Sequence, residues 1–192
     1  MPEMIRKTAV GGLLLIGGLF IVFAVGYALE EPGGWAGAAM SAAWVVPTAL
    51  LSGLAWRRPA VGAWFAIPLV AVIGVSALVL PFTADGVREA VERSGPVLPL
   101  ATVAATMICA ALGVHRAGQA GWLLVGLAAA NVVGSSLEQL ARGGGEPLPL
   151  GLLAGSGGVT VVPVLVAGCL LIVADLLERH PPASSAGHAA SA

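Results

Sequence analysis

Any chemistry this chain performs within a membrane has to start from one face of the stretch Gln119 to Arg142, QAGWLLVGLAAANVVGSSLEQLAR, where Asn131, Ser135, Glu138 and Arg142 recur at helical spacing. An amide, a hydroxyl and a carboxylate on one helix face can hold a polar ligand, bond to a neighbouring helix or line a watered path. Asn131 falls roughly a dozen residues into a segment that rises ~1.5 Å per residue, which puts it near mid-bilayer. An amide facing lipid at that depth lacks hydrogen-bond partners, so this face points into protein or water.

Three other apolar segments carry stripes of weakly polar residues. They are Ser41, Thr48 and Ser52, then Thr102 and Thr106, then Ser156 and Thr160. Together the candidate polar interior face comprises Asn131, Ser135, Glu138, Thr102, Thr106, Thr48, Ser52, Ser156 and Thr160. Two readings fit it. In the first the stripes let helices approach closely and bond to one another, at under ~1 kcal/mol per bond on average, so that Asn131 finds a Ser or Thr on a neighbouring helix. In the second they line a substrate pathway, as in a small transporter or permease-like protein with an uncharged polar midplane site around Asn131. No Asp, Glu, Lys, Arg or His falls in an apolar core, so a proton or ion relay has no carriers.

Sharper chemistries find no constellation. Gly155-Ser156-Gly157-Gly158 is similar to the serine motif of rhomboid-type intramembrane proteases, but a serine nucleophile needs an adjacent base. His115, His180 and His188 all lie at segment ends or in the tail. Haem ligation wants a histidine within the bilayer, and a metal site wants clustered His, Cys or carboxylates. Cys109 and Cys169 each sit in an apolar run without a CxxC companion, as small buried residues do. The sequence therefore predicts no catalytic residue, no cofactor and no metal.

The elements that position these residues follow from composition. A hydrophobic fraction of 58%, a charged fraction of 10% and a mean hydropathy of +0.95 describe a multi-pass membrane protein rather than a soluble domain. The fold class expected is all-α, a polytopic integral membrane bundle of six helices. The spans run about 8–29, 35–56, 60–82, 97–114, 119–140 and 150–177. The first follows a short basic segment, Met1 to Lys7, and is too long for a signal peptide's apolar region, so it reads as an uncleaved helix. Glu30-Glu31-Pro32-Gly33-Gly34 and Arg57-Arg58-Pro59 read as tight breaks. Thr83 to Pro96 reads as a charged loop able to form a brief surface helix, and residues 181–192 as a disordered tail.

Counting Lys and Arg gives an orientation, because cytoplasmic loops carry the excess. Arg6, Lys7, Arg57, Arg58, Arg116 and Arg179 would lie inside, against Arg88, Arg93 and Arg142 outside, so both termini are expected in the cytoplasm of a cell whose plasma membrane holds the protein. The partners implied are the lipid bilayer and a membrane-protein partner or a second copy of the chain. A net charge of -1 argues against nucleic acid. Two further patterns stand out: Gly33 and Gly37, like Gly151 and Gly155, are spaced for close helix packing, and Pro32 to Pro47 parallels Pro147 to Pro163 as an internal repeat would.

Overall fold

The structure, a computed structural model, describes residues 1–84, 86, 87, 89, 97–141 and 156–180. Among these the chain is all-helical, with no strand. Six long helices follow one another: α1 (Pro2–Ala28), α2 (Gly34–Arg57), α3 (Pro59–Val79), α4 (Val97–Gly113), α5 (Ala117–Ala141) and α6 (Ser156–Arg179). Five of them, all but α4, are long and apolar enough to cross a membrane. At 17 residues, α4 is the shortest. It lies at the lower limit of a spanning helix, since ~17 to 25 residues match a hydrocarbon core about 30 Å thick.

The helix ends follow local chemistry. Helix α1 begins at Pro2, six residues ahead of the Thr8 expected from hydropathy, because Pro at the first helical position is already set for the helix. The break after it is a single π turn, Leu29–Gly33, closed by Gly33 and Gly34 at φ of +71° and +56°, where a side chain would be strained. Helix α2 stops at Arg57, and Pro59 opens α3 after one non-helical residue, Arg58. A 3-10 turn, Leu80–Phe82, ends α3, and the Thr83 N–H and hydroxyl both donate to the Leu80 carbonyl, at 3.2 and 2.8 Å. Outside the described residues lie most of the Thr83 to Pro96 loop, the beginning of the expected sixth span at 150–155, Pro147 of the repeat, and the tail.

The bundle has distinct ends. Arg6 of α1 pairs with Glu178 of α6 at 3.0 Å, and Arg179 pairs with Asp175 at 2.8 Å. Gly118, at the start of α5, lies against the Asp175 carboxylate, and Gly113, at the end of α4, lies against Leu171 and Val10. The start of α1, the α4–α5 turn and the end of α6 therefore share one end, which also holds the basic Arg57-Arg58 turn. Glu30, Glu89 and Glu138 belong to the other end.

A core of small and branched side chains joins the helices, with Leu13, Ile108, Leu112, Leu124, Leu127 and Leu171 as its largest fully buried members. Helix α4 is the most enclosed: ten of its residues are buried. Large apolar residues elsewhere face outward, as they do where lipid is the solvent. Tyr27, Trp35 and Phe82 are exposed at one end, and Trp56, Trp64 and Trp122 toward the other, two levels that fit the aromatic belts of membrane interfaces.

Candidate functional site

Helix α5 presents Asn131, Ser135 and Glu138 to a cleft of about 130 Å³, completed by Ala77, Leu80 and Pro81 at the end of α3, Leu98 in the first turn of α4, and Gly134. The cleft exists because Gly134 has no side chain, so α5 lies directly against the Ala77 carbonyl. Pro81 adds a second feature. It has no N–H to return to the carbonyl four residues back, which is that of Ala77.

Below the cleft, the interior of α5 is closed. Asn131 donates its amide N–H to the Leu127 carbonyl of its own helix, at 2.8 Å. Next come Ala128, Leu127, Leu124 and Ala120, each no more than 2% exposed. These four apolar side chains pack against α3, α4 and α6 and carry no polar atom of their own.

The other stripes face elsewhere. Thr102 and Thr106 are buried on α4 and flank a void of about 20 Å³ shared with Leu13, Gly17, Phe20, Pro163 and Val164, against α1 and α6 rather than α5. Thr48, on α2, lines an apolar groove of about 340 Å³ with Ser41, Trp44, Phe20, Phe23 and Pro99, between α1, α2 and α4. The side chains of Ser156 and Thr160, and all of Arg142, lie outside the described residues.

The threonine hydroxyls of these stripes bond within their own helices, as does Ser136 beside the α5 stripe. Thr48 donates to the Trp44 carbonyl at 2.7 Å, Thr102 to Leu98 at 2.9 Å, Thr106 to Thr102 at 2.8 Å, and Ser136 to Val132 at 2.7 Å. The packing reading expects interhelical bonds at these side chains, whereas Thr48, Thr102, Thr106 and Asn131 each reach the carbonyl four residues back in their own helix. The physical reason is proximity. That carbonyl sits within reach of a β-hydroxyl or short amide whatever the neighbouring helix does. What the small side chains provide between helices is closeness, as at Gly121 and Gly168, where α5 and α6 cross backbone to backbone.

Ser41 and Ser52 differ from the threonines. Their buried hydroxyl oxygens have no hydrogen-bond partner among the described residues. A buried hydroxyl left unmade costs about 1 to 3 kcal/mol. Ser52→Ala is therefore expected to leave thermal stability in detergent unchanged or to raise it by about 1 kcal/mol; a clear loss would show that Ser52 has a partner in the membrane.

Among the described residues no group of three or more His, Cys, Asp or Glu side chains is placed to hold a metal. The cleft has one carboxylate, from Glu138, one amide, from Asn131, and one hydroxyl, from Ser135. Sequence reasoning missed the contributions of α3, although Pro81 is a readable signal that the carbonyl of residue 77 loses its helical donor. No family model matches the chain, and no curated protein or solved structure does either.

Proposed function

We propose that the protein is a non-enzymatic membrane subunit, spanning the bilayer six times with both termini in the cytoplasm of the plasma membrane, whose role is to assemble with another membrane protein. The observation that carries this reading is the closed apolar floor beneath Asn131, together with stripes that turn to three different neighbours instead of one shared lumen. A conduit needs polar groups at successive depths along one route. Close packing needs only small residues at the crossings, and these stripes supply them.

The six-pass topology is supported by the Arg6–Glu178 ion pair, which brings the start of α1 and the end of α6 to one end of the bundle, as an even number of passes requires. The gathering of Arg6, Lys7, Arg57, Arg58, Arg116 and Arg179 at that end supports its assignment to the cytoplasm. Reporters inserted after Arg58 and Arg116 are expected to be cytoplasmic, and one within Thr83 to Pro96 external. A cytoplasmic reporter in that loop would overturn the topology.

The subunit role is tested by gentle extraction from native membranes and by deletion. A stoichiometric membrane protein should copurify with the chain, and its level should fall when the chain is removed. A chain that purifies alone and whose deletion lowers no other membrane protein would contradict the role.

A further inference from the structure

The groove between α1, α2 and α4 holds about 340 Å³, within the range of roughly 300 to 1,000 Å³ that small-molecule sites occupy. Phe23 and Met40 line it and are also exposed, so it opens toward lipid. Phe20 and Trp44 give it aromatic walls, and Val103 and Ala104 form its side on α4. No charged side chain is among the described residues that line it.

Two hydroxyls of α2 belong to this groove, seven residues apart on one helix face, and they differ. Thr48 is satisfied by the Trp44 carbonyl at 2.7 Å. Ser41 keeps a buried hydroxyl oxygen without a partner among the described residues. An ordinary acyl chain would fill the space and leave that hydrogen bond unmade.

Depth narrows the choice of occupant. Ser41 stands seven residues beyond the start of α2 at Gly34, roughly 10 Å along the axis at ~1.5 Å per residue. A helix of 24 residues overhangs a hydrocarbon core about 30 Å thick by only a few ångströms at each end. The hydroxyl therefore lies inside the hydrocarbon, beneath the level of phospholipid esters. Its unmade bond calls for an acceptor oxygen on an otherwise apolar body, and the aromatic walls favour a planar ring, which packs against them offset or edge-on. Serine turns among three staggered rotamers, so the enclosed oxygen can swing to meet a ring seated in the groove.

We infer that this groove binds a membrane quinone, a planar ring with carbonyl oxygens and a hydrocarbon tail. The Ser41 hydroxyl donates to one carbonyl, the ring packs against Phe20 and Trp44, and the tail leaves toward lipid. The inference concerns binding alone and is independent of the subunit role.

The test places the full chain in dioleoyl phosphatidylcholine nanodiscs with decylubiquinone as the probe. Quinones quench tryptophan fluorescence, and Trp44 becomes the sole reporter when Trp35, Trp56, Trp64 and Trp122, all exposed, are changed to Phe. Quenching of Trp44 should saturate, whereas in a companion chain that keeps Trp64 alone it should rise in proportion to the quinone in the bilayer. Ser41→Ala should raise the half-saturating quinone fraction roughly fivefold, as the loss of one neutral hydrogen bond implies. Ala104→Leu, which fills the groove from α4, should abolish saturation. Trp44 quenching that stays proportional, or saturation that either substitution leaves unchanged, overturns the inference. Should either variant fail to accumulate, decylbenzene decides in the chain that keeps Ser41 and Ala104. It has a ring and a tail but no carbonyl, so failure to displace the quinone supports the site, and displacement at equal concentration overturns it.

Discussion

Gly134→Val is expected to be among the most damaging single substitutions in the chain, lowering stability by about 1 to 3 kcal/mol or preventing accumulation in the membrane. A side chain at residue 134 would run into the Ala77 carbonyl. That obstacle is backbone, so no rotamer change relieves it, and α5 must move away from α3. The displacement opens the cleft and carries Asn131 and Ser135 with it. Val133→Leu is the control, because residue 133 is exposed on the same helix and should tolerate the change. Thermal denaturation of both variants in detergent checks the contrast, and equal stability would show that α3 and α5 do not meet as described.

Gly121→Val should have an effect of similar size, again about 1 to 3 kcal/mol, at the other end of α5. A Cβ added there would stand 2.7 Å from Ile172 and 2.8 Å from the Gly168 carbonyl oxygen. A Cβ added at Gly168 would in return stand 3.1 Å from the Gly121 carbonyl oxygen, so the two helices approach closely at both glycines. The contact is worth protecting because association between helices in lipid depends on packing rather than on water release. Gly126→Val, whose added atoms meet open space, should be nearly silent in the same assay.

These two glycines show where sequence reading stops. The helices themselves were legible, because long apolar runs are interrupted by Pro, Gly and Arg at Pro32, Gly33, Arg57 and Arg116, each with a local reason to break. The face bearing Asn131, Ser135 and Glu138 was legible for the same kind of reason, from its helical spacing. Gly121 and Gly134 were not, since a glycine in a chain with 27 of them gives no sign of which neighbour approaches it. Nor were the partners of Thr48, Thr102, Thr106 and Asn131. A bond to the carbonyl four residues back and a bond across to another helix leave the same stripe in the sequence, and only the placement of neighbours distinguishes them.

That ambiguity changes which experiment separates packing from transport. Had Asn131 bridged two helices, Asn131→Ala would have cost stability. Because its amide bonds to its own helix, Asn131→Ala should cost less than about 1 kcal/mol. Such a result suits either reading. Labelling at residue 131 or 135 is equally uninformative, since both line a cleft large enough to admit a small reagent.

The decisive measurement is cysteine accessibility below the cleft. In a chain carrying Cys109→Ala and Cys169→Ala, single cysteines at Ser135, Leu127, Leu124, Thr102 and Thr106 are treated with a membrane-impermeant thiol reagent from each side in turn. Packing predicts labelling at Ser135 from the external side alone and protection at the other four, whose side chains are at most 7% exposed. Labelling that continues from Ser135 through Leu127 and Leu124, reached from both sides, would establish a conduit and contradict the account.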